Sequence, residues 1–170
     1  DNYGLIDCSK IENAITRRTK AIIPVHLSGI PAEMDEINKI AKRKSIYVIE
    51  DAAQSMGSVL NNKKTGSFGI AGAFSLHPLK NLGVMGDGGI ITTNSKNLCL
   101  KLKKLRNHGL KNRNVCEMWG YNSRLDEVQA SIALIKMKYL KEWKLKCDKI
   151  AKIYNENLCN IVEIPKFKKN

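Results

Sequence analysis

No stretch of this 170-residue sequence approaches the run of roughly 20 apolar residues that a membrane-spanning helix needs. The start, Asp1-Asn2-Tyr3-Gly4, has no initiator methionine and no basic-then-apolar leader, and reads like the interior of a longer chain. Cysteine is sparse and irregular. Cys8, Cys99, Cys116, Cys147 and Cys159 are odd in number, and no two stand in Cys-x-x-Cys spacing. That argues against a disulfide framework or a zinc ribbon and for reduced thiols in a cytoplasmic protein. His26, His77 and His108 lie far apart and show no metal-ligand spacing, so no metal site is expected. Internal repeats and low-complexity linkers are also missing.

Acidic residues are in the minority: 29 Lys and Arg stand against 16 Asp and Glu, a formal net charge of +13. Such an excess can mark a nucleic-acid partner. Here the basic residues follow helical segments (39–44, 101–104, 136–152) and are not gathered with interleaved aromatics. Solvated helix faces are expected, with no nucleic-acid or membrane partner. A milder consequence is a positive field that attracts an anionic substrate. The apolar fraction of 43% and charged fraction of 26% are those of a globular protein long enough to hold one core.

Residues 20–25 form a short apolar run that ends near a turn and predict a buried strand. Residues 32–44 place Met34, Ile37, Ile40 and Ala41 on one helical face, with Pro31 just ahead. Residues 45–50 predict another strand, so the first three elements read as a βαβ unit with parallel strands. After a turn-rich stretch at 61–69, strands are expected at 71–76 and 88–93, joined by the loop that carries Lys80. Ser95 suits the N-cap of a helix to about residue 107, with Leu98, Leu102 and Leu105 inward and Gly109 at its end. A long helical pattern covers 124–158, with a bend expected near Trp143. A strand-like run starts after Asn160. The class is α/β, a mostly parallel sheet covered by helices.

Three clusters carry candidate chemistry. Asp51 follows a strand at the carboxyl edge where α/β proteins build sites, with the small Ala52 and Ala53 and then Gln54 behind it. The plain alternative is a capping or loop aspartate. Ser75 ends a strand ahead of Lys80, in a loop closed by Gly83, Gly86, Gly88 and Gly89. A lysine stripped of water there offers a neutral amine as nucleophile, and a nearby hydroxyl can bind a phosphate. The alternative is one surface lysine among many. Asn122 and Ser123 precede the long helix, where N–H donors suit an anion; simple helix capping is the alternative.

Together these clusters, in their order and spacing, resemble the DegT/DnrJ/EryC1/StrS aminotransferases, fold type I enzymes that use pyridoxal 5′-phosphate (PLP) and act mainly on nucleotide-linked keto-sugars. The matching stretches are AIIPVHLSGIPAEMD (21–35), VIEDAAQ (48–54), FSLHPLKNLGVMGDGGIITTN (74–94), LRNHG (105–109) and GYNSRLDEVQA (120–130). The resemblance implies that Lys80 is the Schiff-base lysine and Asp51 the partner of the pyridine nitrogen. It implies Gln54 near the ring and its phenolic oxygen, Ser75 at the PLP phosphate, and Asn122 at the phosphate of a neighbouring subunit in a homodimer. The implied reaction moves an amino group from a donor such as glutamate to a nucleotide-diphosphate keto-sugar, at C3 or C4, for polysaccharide, O-antigen or amino-sugar synthesis.

The sequence departs from the family at Ser28, where an aromatic is common, and at Ile70, where an acid is common. His77 either lines the site or packs. Family chains are longer, so a fragment is expected: residues 1–140 as part of the large PLP-binding domain, and 141–170 as a linking helix and the start of the small C-terminal domain. Such a fragment would expose apolar sheet surface and be inactive alone. Two other readings are a PLP-dependent sugar dehydratase of the same family, which lacks the lysine, and a basic non-catalytic binding fragment.

Overall fold

The computed structural model describes residues 1–164. Elements run in the order α1 (Cys8–Ala14), β1 (Ala21–Ile22), α2 (Met34–Lys44), β2 (Tyr47–Asp51), β3 (Val59–Leu60), β4 (Lys63–Lys64), β5 (Ala71–Ser75), β6 (Gly89–Thr92), α3 (Lys96–Leu105), β7 (Leu110–Asn112), β8 (Val115–Cys116), α4 (Glu127–Met137) and α5 (Leu140–Leu158). A short 3₁₀ turn, Leu27–Gly29, follows β1. The main sheet has the order β1-β2-β5-β6. The first three strands are parallel and β6 is antiparallel to β5, as suits a mostly parallel α/β sheet.

The apolar stripe of α2 is buried as its spacing predicts: Met34, Ile37, Ile40 and Ala41 pack with Ile11, Ile22 and Val48. Each buried aliphatic side chain there contributes about 1.5–3 kcal/mol. The helix ends where Ser45 adopts φ 53°, so the following strand begins two residues later than the apolar run does. The strand expected at 20–25 shrinks to two residues, because Pro24 has no N–H for the ladder. It resumes only as a bridge between Val25 and Asp51.

Burial alternates along β2, and along β5 from Gly72 onward. Val48, Glu50 and Phe74 face the α2 side and are buried, while Ile23 and Ile91 on the other face are exposed. That uncovered face carries the side chains of Asp51 and Ser75.

The long helical pattern divides earlier than expected, at Lys138–Tyr139 and not near Trp143. Lys138 and Tyr139 donate back three residues, to Ile135 and Lys136, which tightens the turn and ends α4. Trp143 instead stacks on Tyr139 across 6.1 Å. Of the strand-like run after Asn160, Ile161 and Val162 form a turn and bend, residues 163–164 have no regular structure, and the rest lies outside the described residues. No helix among the described residues is long and apolar enough to cross a membrane.

Candidate active site

Asp51 and Ser75 are the last residues of the adjacent parallel strands β2 and β5. Their side chains leave the sheet on its uncovered face and line one cavity of about 470 Å³, together with Ile23, Ile49, Ala53, Ala73 and Gly88. Asp51 is fixed on every side. Its N–H donates to Pro24 O at 2.9 Å, its carbonyl accepts from His26 N–H at 3.0 Å, and its Oδ1 accepts from Ala53 N–H at 3.0 Å.

Gln54 is oriented from the facing turn. Ser28, at φ 53°, turns its N–H toward Gln54 Oε1 at 2.9 Å. An N–H can only donate, so the oxygen of the amide is fixed there and its NH₂ is left to point elsewhere. The Gln54 carbonyl accepts from Asn81 Nδ2 at 3.4 Å, which ties it to the residue beside Lys80.

Behind this turn lies a buried pair that sequence reading missed. His26 Nδ1 accepts from Ala32 N–H at 3.1 Å, so the ring proton sits on Nε2, which donates to Glu50 Oε2 at 3.0 Å. Glu50 also accepts from the N–H groups of Gly66 (2.6 Å), Phe68 (2.7 Å) and Gly69 (2.8 Å). Burial alone would raise the Glu50 carboxyl. The bonds from His26 and from Gly69, Gly66 and Phe68 outweigh it and hold the group below the ordinary glutamate value. The one available signal was an acidic residue at an inward position of a buried strand.

The Lys80 loop is closed at its base. Leu76 N–H donates to Gly88 O, and Val84 N–H donates to Leu76 O. Leu76, Leu82 and Val84 are buried with Ala133 of α4. Gly83 is required there: a Cβ would come within 2.2 Å of Pro78 O. His77 N–H donates to Ser75 Oγ at 3.2 Å, and Lys80 N–H to His77 O at 2.8 Å. Lys80 itself is half-buried and not enclosed as a stripped amine would be. His77 is exposed and lines neither cavity; its Nδ1 accepts from Leu79 N–H.

Asn122 stands elsewhere. The helix expected to follow it directly begins only at Glu127, with Asp126 as its N-cap, so Asn122 and Ser123 do not cap it. Asn122 instead bridges to Asn107 and accepts from Arg124 Nε at 3.0 Å. It is exposed and lines a second open cavity of about 440 Å³ with Arg124, Leu125, Asp126 and Glu127. Within this chain the structure therefore joins Asp51 and Ser75, links Gln54 to the neighbour of Lys80, and leaves Asn122 outside.

Residues 1–170 match the model of the DegT/DnrJ/EryC1/StrS aminotransferase family. The chain belongs to that family. It is 48% identical over 155 residues to a dTDP-3-amino-3,6-dideoxy-alpha-D-galactopyranose transaminase of Aneurinibacillus thermoaerophilus, covering 91% of this chain and 43% of the relative. It is 47% identical over 153 residues to a "pleiotropic regulatory protein" of Geobacillus stearothermophilus, covering 90% and 41%. Among solved structures, ntda from Bacillus subtilis with bound cofactor PMP superposes with a TM-score of 0.85 at 37% identity, covering 95% of this chain and 37% of that one. The family member described here thus spans less than half the length of these relatives.

The family is PLP-dependent, and the residues present fit that cofactor. Ala53, Ala73 and Gly88 in the cavity lining carry little or no side chain and leave room for a flat ring. An aspartate and a hydroxyl line the same cavity. That donor set suits a planar ring with a basic nitrogen and a phosphate.

Proposed function

We propose that this chain is the cofactor-binding part of a transaminase that moves an amino group, from a donor such as glutamate, to a keto carbon of a nucleotide-linked sugar. The observation that carries the proposal is the convergence of Asp51 and Ser75 on one cavity at the carboxyl edge of β2 and β5, with Lys80 in the closed loop that follows. Family membership and the named transaminase relative support it.

Bound PLP would supply an electron sink for carbanion chemistry at the amino carbon. Each residue then has a stated task. The Asp51 carboxylate, on the cavity wall, would pair with the pyridine nitrogen and keep a proton on it. Ser75 Oγ accepts from His77 N–H, which leaves its own proton to donate to a phosphate oxygen. Gln54, with Oε1 held by Ser28 N–H, has its NH₂ free of that bond and would offer it to the phenolic oxygen. Lys80 would hold the cofactor through Nζ, and its free amine would move protons as general base and acid. The dehydratase reading requires a side chain other than lysine at position 80.

Asn122, exposed on this chain, would reach the cofactor phosphate of a second copy, and the working unit would then be a homodimer. Residues 1–140 hold the site, and 141–170 lead toward a small domain. Activity belongs to the longer protein, in the cytoplasm, and this chain alone is inactive.

The test is an assay on the protein expressed from its complete reading frame, with PLP, glutamate and a nucleotide-diphosphate keto-sugar. 2-Oxoglutarate should accumulate over many turnovers only when the sugar is present; without it, release should stop at about one equivalent per active site, as the donor half-reaction alone allows. Salt-sensitive DNA binding without cofactor uptake would contradict the proposal and favour a basic binding protein.

A further inference from the structure

Lys80 returns to the sheet through a strap, Gly83-Val84-Met85-Gly86-Asp87-Gly88, half of whose residues are glycine. The strap has few side chains with which to hold its place. Leu76 bonds its two ends and Val84 is buried; a further hold comes from α4. Met85 N–H donates to Gln129 Oε1 at 2.8 Å, and Gln129 Nε2 donates back to Met85 O at 3.1 Å. Both ends of one side-chain amide thus engage the main chain of one residue, as a neighbouring strand would. Two helical turns further along, Lys136 Nζ donates to Gly83 O at 2.6 Å.

The glycines permit this approach. A Cβ on Gly86 would stand 3.0 Å from Gln129 Nε2, and one on Gly88 would stand 2.8 Å from Leu125 Cδ1. Burial does not explain the contact, since Met85 is 77% exposed. The contacts also serve no helix end, because Gln129 and Lys136 both lie within α4. What they do fix is the return path of the loop that presents Lys80.

We propose that Gln129 and Lys136 are positioning residues that hold the strap, and through it the Lys80 amine, in register with the aldehyde carbon of the cofactor. The proposal rests on the reading of Lys80 given above. A lysine side chain is long and flexible, so the fold controls the amine only through the backbone at its root. If the strap drifts, that root moves, and reacting groups tolerate little misplacement.

The test uses the protein from its complete reading frame, PLP as the probe and cyanoborohydride as the trap. The Nζ lone pair adds to the aldehyde carbon and water leaves. Hydride from the reagent then saturates the C=N bond, leaving a stable secondary amine whose mass on the Lys80 peptide is followed with time. Gln129→Ala and Lys136→Met should label Lys80 about tenfold more slowly than the parent. Lys136→Arg keeps an N–H donor and should label near the parental rate. All should keep the parental circular dichroism and urea midpoint. If Gln129→Ala does not fold, the Lys136→Met and Lys136→Arg pair decides the matter. Equal labelling rates in the parent, Gln129→Ala and Lys136→Met would overturn the positioning role. A Lys80→Ala protein that takes up label as fast as the parent, at some other lysine, would overturn the reading of Lys80 and the positioning role with it.

Discussion

His26 and Glu50 meet at 3.0 Å with neither side chain open to solvent. The pair joins the turn that orients Gln54 to the strand that ends in Asp51. Through its other acceptor positions Glu50 also pins Gly66, Phe68 and Gly69 just ahead of β5. One buried carboxylate therefore ties β2, which ends in Asp51, to the turn ahead of β5, which ends in Ser75.

Glu50→Gln should be strongly destabilising. The amide keeps one acceptor oxygen but turns an NH₂ group on N–H donors that now face a carboxylate. Leaving buried donors unsatisfied costs about 2–3 kcal/mol. A urea denaturation curve should show the lower midpoint with an unchanged slope.

The same group predicts an acid limb in stability. Its folded-state pKa lies below the ordinary value of 4.5, so its contribution is complete above that value and is lost as the pH falls through the depressed folded value. Stability measured against pH should fall below about pH 4.5, and Glu50→Gln should flatten that fall. Asp7, Glu12 and Glu117 are lowered as well, by Ser9, Arg43 and Lys104 respectively. Glu12 and Glu117 pair with cations at the surface, so added salt should weaken their share and leave those of Asp7, held by Ser9, and of Glu50.

Gly83→Ala should open the Lys80 loop. The new methyl would sit 2.2 Å from Pro78 O, a contact with rigid backbone. Overpacking of this kind costs about 1–3 kcal/mol. The expected result is a lower unfolding midpoint together with weaker PLP uptake in the complete protein, read by cofactor fluorescence.

Ser75→Ala should spare the fold and weaken PLP. A hydrogen bond to a charged phosphate contributes about 1.5–3 kcal/mol, roughly a 10- to 100-fold change in dissociation constant. Equilibrium dialysis with PLP measures it. An unchanged affinity would remove Ser75 from the phosphate site.

The parts of the fold most legible in the sequence were those with a clear period. Met34, Ile37, Ile40 and Ala41 announced α2, and the apolar run before Asp51 announced β2. The hairpin β3–β4 was hidden in a polar stretch. Its signal was Asn61-Asn62, both at positive φ, which is the geometry of a tight hairpin turn. Helix α1 escaped because seven residues show too little periodicity, although Asp7 caps it through Ser9 N–H. The break at Lys138–Tyr139 carries neither glycine nor proline, so the apolar stripe read straight through it. That Asp51 and Ser75 share a cavity was legible only through the family motifs. The contacts that hold the site, from His26, Ser28 and Gln129, span 24 to 44 residues and leave no local pattern.

The account turns on Lys80 as the residue that binds the cofactor covalently. The direct measurement is the visible absorbance of the complete protein with PLP, followed by borohydride reduction and peptide mapping. The prediction is a band near the visible edge that is absent in Lys80→Ala, with the phosphopyridoxyl group mapped to the peptide containing Lys80. A band that survives Lys80→Ala, or a label mapped to any other lysine, would contradict it.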